Sequence, residues 1–258
     1  MSGKSRISSY VICTTPRSGS TLLCTLLKAT GIAGNPDSHF HSTSLDGWLQ
    51  AYGVRTTEPS AQQAVRTVVN AAIEIGTGDT GVFGLRIQRA SFDHFIQQIG
   101  GLHPQADCDL DRIQASFGST RFIHLTRSNK MEQAISLVKA TQTGLWHRAA
   151  DGSELERLSA PKPPVYDPQQ IEKTLLELIE MERAWEGWFM QEGLSPMRIS
   201  YDELSANPAD TLAKCLNFLG LASQYGEDIL PPTAKLADAL SQEWAERFRA
   251  EYPAYFQN

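Results

Sequence analysis

The sequence predicts an α/β protein of three layers, a central, mainly parallel sheet flanked by helices. Three observations carry this. Short apolar runs of strand length alternate with longer segments of helical periodicity. Near the start, a strand, a tight polar loop and a helix follow one another directly. The chain has 258 residues, with no internal repeat and no low-complexity segment, which fits one domain spanning 1–258.

The elements follow in order. SYVIC at 9–13 reads as a buried strand, and 18–30 as a helix with Leu22, Leu23, Leu26 and Leu27 on one face. Gly31 can end that helix. From Gly34 to about Pro59 the chain is polar and long for a plain connection, so a functional loop is expected. A helix is expected over 60–75, a strand at GVFGLRI (81–87) and a helix at SFDHFIQQIG (91–100). RFIHL (121–125) is a further strand. A helix over 129–141 follows, with Met131, Ala134, Ile135 and Val138 on one face.

Residues 151–168, rich in Pro, Gly and Ser, read as an exposed loop that could serve as a lid. A long helix is expected over 168–192, with Ile171, Leu175, Leu178, Trp185, Trp188 and Phe189 on one broad face, then a strand at PMRIS (196–200). Asn207 suits an N-cap, Pro208 the first helical position, and Gly220 the end of the helix between them. The last helix is expected over 236–251.

The net charge of −6 argues against a broad nucleic-acid surface, so positive potential for an anionic ligand must be local. No run approaches the ~20 apolar residues that cross a bilayer, and the N-terminal apolar run is too short for a signal peptide. The four cysteines are scattered, with no C-x-x-C pair and no His/Cys cluster at zinc spacing. These features lead us to expect a cytoplasmic protein without a structural metal.

Two stretches carry chemistry. The first is TTPRSGSTLL, residues 14–23. If the strand ends near Thr14, the next residues face the carboxyl edge of the sheet, where α/β proteins bind ligands. Gly19 permits close backbone approach. The amides of Ser20, Thr21 and Leu22 open a helix and attract phosphate. Ser18, Ser20 and Thr21 offer hydroxyls, and Arg17 a bidentate contact to phosphate or sulfate. The ATP-loop pattern G-x-x-x-x-G-K-[ST] is not met: Thr14 stands where its first glycine would be, and Ser20 where its lysine would be. The second stretch is HLTRSNKMEQAIS, residues 124–136. It puts Arg127 at a strand end and Ser136 two to three turns into the next helix, a pair that could bind a second phosphate.

PRSGSTLL resembles the loop with which sulfotransferases hold the 5′-phosphosulfate of 3′-phosphoadenosine-5′-phosphosulfate (PAPS). The pairing of Arg127 with Ser136 resembles their 3′-phosphate site. The chain resembles the bacterial trehalose 2-sulfotransferase family. The shared order includes L-x-A-T-G-I-A-G-x-P at 27–36, G-V-F-G at 81–84, Q-A-I-S at 133–136 and Q-T-x-x-W at 142–146. It continues with W-x-x-W-F at 185–189, Y-x-x-L at 201–204 and S-x-E-W at 241–244.

The resemblance implies a P-loop-like fold and in-line transfer of a sulfuryl group from PAPS to a hydroxyl of a sugar, glycolipid or small alcohol, with 3′,5′-ADP as product. It implies that Arg17, Ser18, Gly19, Ser20 and Thr21 hold the 5′ end and Arg127 and Ser136 the 3′-phosphate. Related enzymes are dimeric, so a homodimer is expected.

The family's base is a glutamate in a stretch like G-E-P-x-E-F-F. Here GNPDSHF (34–40) puts Ser38 in its place, which puts trehalose itself in question as the acceptor. Serine is a poor base at neutral pH, so the role falls to a neighbour, with His39 favoured over Asp37 because its unperturbed pKa suits proton transfer. Arg86 stands where the family carries lysine and could neutralise charge on the transferring group. Trp48, in the variable loop, is the candidate platform for a sugar. His124 reads as a buried strand histidine, and Trp146, Trp185, Trp188 and Trp244 as core. A nucleotide-dependent kinase and a non-catalytic nucleotide-binding relative are the competing readings.

Overall fold

The structure, a computed structural model, describes residues 7–54, 60–148, 151–221 and 239–256. Its centre is a four-stranded parallel sheet of β1 (Ser9–Thr14), β2 (Phe83–Gln88), β3 (Thr120–Thr126) and β6 (Met197–Ser200), in the order β2-β1-β3-β6. β1 is central and buried throughout, so its side chains feed both faces in alternation. Val11 and Cys13 join the core formed with Phe83, Leu85 and Ile87 of β2. Tyr10 and Ile12 join the opposite core, with Ile123 and Leu125 of β3.

Helices cover both faces. On the Val11 face lie α2 (Leu45–Ala51), α3 (Ala61–Thr77), α4 (Arg89–Leu102), α5 (Asp109–Phe117) and the Trp185–Trp188–Phe189 end of α7 (Pro168–Gln191). On the Tyr10 face lie α1 (Ser20–Ala29), α8 (Tyr201–Ala206) and α9 (Pro208–Leu219). A third core joins α6 (Lys130–Thr143) to the first half of α7 and to α10 (Ala239–Glu251). This is the three-layer arrangement expected from the alternation of strands and helices.

The structure departs from the sequence reading in several places, each with a physical cause. The 34–59 loop contains a helix, α2, because the Ser44 hydroxyl caps it by accepting from the Gly47 amide and Trp48 sinks into the core. Its last residues, 55–59, and residues 236–238 of the expected last helix lie outside the described set. α5 escapes a periodicity search because it buries only Ile113 and Phe117. α8 is started by a capping box, Ser200 with Glu203. Asn207 stands at the cap of α9 but its side chain makes no capping bond; Pro208 and left-handed Gly220 bound that helix as expected.

The 151–168 segment is not loop throughout. β5 (Glu154–Arg157) pairs antiparallel with β4 (Leu145–Arg148), and the Arg157 guanidinium donates to the Thr143 carbonyl at 2.6 Å. No described helix is long and apolar enough to cross a membrane.

Candidate active site

The carboxyl ends of β1, β2 and β3 open onto a cleft of about 2070 Å³. A site for one small ligand occupies roughly 300–1,000 Å³, so this cleft has room for two substrates side by side. Seven lysine or arginine side chains line it against four carboxylates, on a chain whose net charge is −6. The positive potential is therefore local, as a chain of this charge requires for an anion site.

The loop between β1 and α1 forms one wall. It is pinned from below: the Trp185 indole donates to the Thr14 carbonyl at 2.9 Å, and buried Gln133 donates to the Thr15 hydroxyl at 2.9 Å and the Pro16 carbonyl at 2.6 Å. Thr14 and Ser18 bond through their hydroxyls. Pinning is needed because Arg17 holds a left-handed backbone, φ 61°, the sole described non-glycine residue to do so. At Gly19, φ is 86° and an added Cβ would stand 2.5 Å from the Tyr201 ring, so both conformation and space require glycine. No side chain caps α1, which leaves its first amides directed at the cleft.

Arg17 donates from Nε to the Ser136 hydroxyl at 3.0 Å and from Nη1 to the Trp146 carbonyl at 2.5 Å. Burial, then the nearby positive charge of Arg127, lowers its pKa to about 10. Arg127 is itself buried, lies over the Tyr201 ring at 4.7 Å, and donates to Glu132 at 3.0 Å. The Tyr201 ring thus touches both Gly19 and Arg127. Two partly desolvated guanidiniums beside a helix N-terminus repel each other until an anion lies between them.

The opposite wall is built on Arg86 of β2. Its Nε donates to the Ser38 hydroxyl at 2.8 Å, Nη1 to the Thr21 hydroxyl at 2.9 Å, and Nη2 to Asp37 at 3.0 Å. Residue 37 bridges Leu85 in parallel, and the Arg86 amide donates to its carbonyl at 2.9 Å, so the 35–40 loop extends the sheet edge. One arginine therefore ties the anion loop to the segment that carries Ser38.

A model of the Stf0 sulphotransferase family matches residues 9–251. The chain belongs to the Stf0 sulphotransferase family. Two proteins named trehalose 2-sulfotransferase are similar to this Stf0 chain over nearly its whole length. The one from Mycobacterium tuberculosis is 28% identical, covering 95% of each chain, and the one from Mycolicibacterium smegmatis 25% identical, covering 94% of each. Two solved structures also align. A sulfotransferase from Alicyclobacillus acidocaldarius has a TM-score of 0.44 at 14% identity, covering 97% of this chain and 94% of its own. The sulfotransferase domain of the Synechococcus PCC 7002 olefin synthase has a TM-score of 0.41 at 16% identity, covering 96% and 90%.

The residues expected to form the donor site of this Stf0 sulfotransferase come together: Arg17, Gly19, Ser20, Thr21, Arg127 and Ser136 all line the cleft. Ser18 lies beneath it, buried. The expected acceptor residues divide. Asp37, Ser38 and Arg86 line the cleft. His39 does not: its ring is buried, Nδ1 pairs with the Tyr52 hydroxyl at 3.2 Å and Nε2 with the Asn35 carbonyl at 3.2 Å. Burial pushes its pKa below the usual value. Nor does Trp48, which is buried against Phe40 and His94 with its indole donating to the Ser42 carbonyl at 2.7 Å. Trp48 is a core residue here, not a sugar platform.

Trp146 departs the other way, half-buried on the cleft rather than in the core. Beside it stands His147, a residue the sequence did not single out. Its Nε2 lies 3.1 Å from the Thr21 hydroxyl and 3.3 Å from Glu156 of β5. Away from the cleft, His124 meets Glu182 and Glu186, but Lys130 and Arg198 already pair with those two carboxylates. The four cysteines are free thiols, three of them buried. Burial raises Cys24 to about 11 and Cys215 to about 12, which leaves both as unreactive packing groups.

Proposed function

We propose that this sulfotransferase moves the sulfuryl group of PAPS to a hydroxyl of a carbohydrate or small alcohol by in-line displacement, releasing 3′,5′-ADP. The observation that carries the reading is the joining of two distant segments in one wall. Arg17 of the β1–α1 loop is 3.0 Å from Ser136 of α6, and Tyr201 contacts both Gly19 and Arg127. Such a wall suits a ligand with anionic groups at both ends, the property that separates PAPS from ATP.

In this reading Arg17, the hydroxyls of Ser20 and Thr21 and the opening amides of α1 hold the 5′-phosphosulfate. Arg127 and Ser136 hold the 3′-phosphate. Glu132, now paired with Arg127, swings aside as the phosphate takes its place. Arg86 faces the same helix turn from the acceptor side and balances charge on the sulfuryl oxygens as the bond to the leaving phosphate lengthens. Fixed side-chain cations and amides supply this stabilisation, so the scheme calls for no metal. The acceptor is assigned to carbohydrates because both curated relatives carry trehalose in their names.

The test is transfer of radiolabelled sulfate from PAPS, with the purified chain and a panel of sugars headed by trehalose. The expected result is a labelled, acceptor-dependent product. Absence of product across sugars and simple alcohols would overturn the acceptor class.

A further inference from the structure

The β4–β5 hairpin sets His147 over the first turn of α1. The Trp146 carbonyl, on the residue before it, accepts from Arg17, so the hairpin is fastened to the anion loop at the point where the ring projects. The Thr21 hydroxyl accepts from Arg86 at 2.9 Å, and in the tautomer that carries the ring proton on Nδ1 it donates its own hydrogen to His147 Nε2, 3.1 Å away. A ring nitrogen that accepts is unprotonated. The ring faces Arg17 from the loop, Arg86 from β2, Glu156 from β5 and the hydroxyl of Thr21.

The two bases favoured by the sequence, His39 and Asp37, are worse placed. Both nitrogens of His39 are occupied below the loop. Asp37 is held by Arg86 and by the Ser38 amide, with its carboxylate turned largely to solvent.

We propose that His147 is the general base of the reaction, an inference that rests on the sulfuryl transfer proposed above. The acceptor hydroxyl takes the place of Thr21 at Nε2. Its proton passes to Nε2 as the acceptor oxygen bonds to sulfur. The bond from sulfur to the bridging phosphate oxygen breaks, and that electron pair leaves on 3′,5′-ADP. The imidazolium so formed finds Glu156 3.3 Å away as counter-ion and passes its proton to solvent there. Burial first, then Arg17 and Arg86, hold the resting ring neutral, lowering its pKa to about 4.

The test compares wild type with His147→Gln and Glu156→Gln in the full chain, using PAPS with trehalose as acceptor and, in parallel, with water. His147→Gln is expected to bind 3′,5′-ADP like wild type and to lose about 10²–10⁴-fold in turnover, the range a general base supplies. Full turnover in His147→Gln, or loss in Glu156→Gln alone, would overturn the assignment and leave the sulfotransfer reading standing. Failure of wild type to bind 3′,5′-ADP would instead sink that reading. A ¹⁵N-histidine spectrum at pH 7, with the ring assigned by its loss in His147→Gln, decides the matter even if neither acceptor turns over. A neutral ring with bare Nε2 is expected; a proton on Nε2 would overturn the proposal.

Discussion

The two walls of the cleft are built in opposite ways. The proposed donor wall is clamped by the core: Trp185, Gln133 and Thr14 fix its β1–α1 loop through buried hydrogen bonds, Arg17 ties that loop to Ser136 of α6, and Gly19 is wedged against Tyr201. The acceptor wall is assembled from segments far apart in sequence: 37–38, Arg86, and the 145–157 hairpin. Its groups pair mainly with one another, and its carboxylates, Asp37 and Glu156, reach toward solvent. The contrast teaches where specificity can change. Variation in the β1–α1 loop would disturb the core it is bonded to, whereas Ser38 and Asp37 bond to Arg86 at the open edge of the cleft, where exchange leaves the core untouched.

The comparison can be broken in several ways. The largest expected effect is on folding. Trp48→Ala should cost about 3–5 kcal/mol, as removal of a large buried aromatic does, measured by denaturant unfolding, while 3′,5′-ADP affinity in the folded fraction is unchanged. Loss of acceptor binding without loss of stability would return Trp48 to the acceptor wall. Next, Arg17→Ala should lower turnover by about 10²–10³-fold, the scale of one preorganised charge-stabilising donor, with the fold kept by circular dichroism. A full rate would detach the loop from the chemistry.

Turnover should respond to pH through His147. A base works unprotonated, so the rate is present above its pKa and lost as pH falls through it. With the ring of the free protein held to about 4, kcat/KM, which reports the free enzyme, should stay level from about pH 8 down to about pH 5.5, a range that brackets an ordinary histidine at about 6.5. A fall centred near that ordinary value would show that burial and the two arginines do not govern the ring. The smallest effect belongs to Glu132→Gln. Freeing Arg127 from a half-exposed partner worth about 0.2–1 kcal/mol should tighten 3′,5′-ADP by no more than several-fold in calorimetry. Weakened binding would mean that Glu132 orients Arg127.

The donor wall was legible in the sequence because its chemistry is contiguous: strand, glycine, hydroxyls and helix start lie within residues 9–30, and Arg127 and Ser136 follow one strand end. The acceptor wall was legible only in part. The sequence marked Asp37 and Arg86. The position of His39 depends on neighbours that no local pattern reveals. At Gly76 of α3 an added Cβ would stand 2.7 Å from the His39 ring, so that glycine leaves the space the ring fills beneath the loop. His147 was missed because it sits on a four-residue strand beside a charge-rich stretch. Only the irregular pairing of that strand with β5 brings Glu156 to it. Trp48 was misplaced because a seven-residue helix interrupted by Gly47 gives too little periodicity to mark its buried face.

The central claim is that one wall holds a ligand anionic at both its 5′ and 3′ ends. Calorimetry with 3′,5′-ADP and 5′-AMP, on wild type and on Arg127→Ala, tests it most directly. The account predicts that wild type binds 3′,5′-ADP far more tightly than 5′-AMP, and that Arg127→Ala removes most of that difference while leaving 5′-AMP binding as it was. Equal affinity of wild type for the two nucleotides would contradict it.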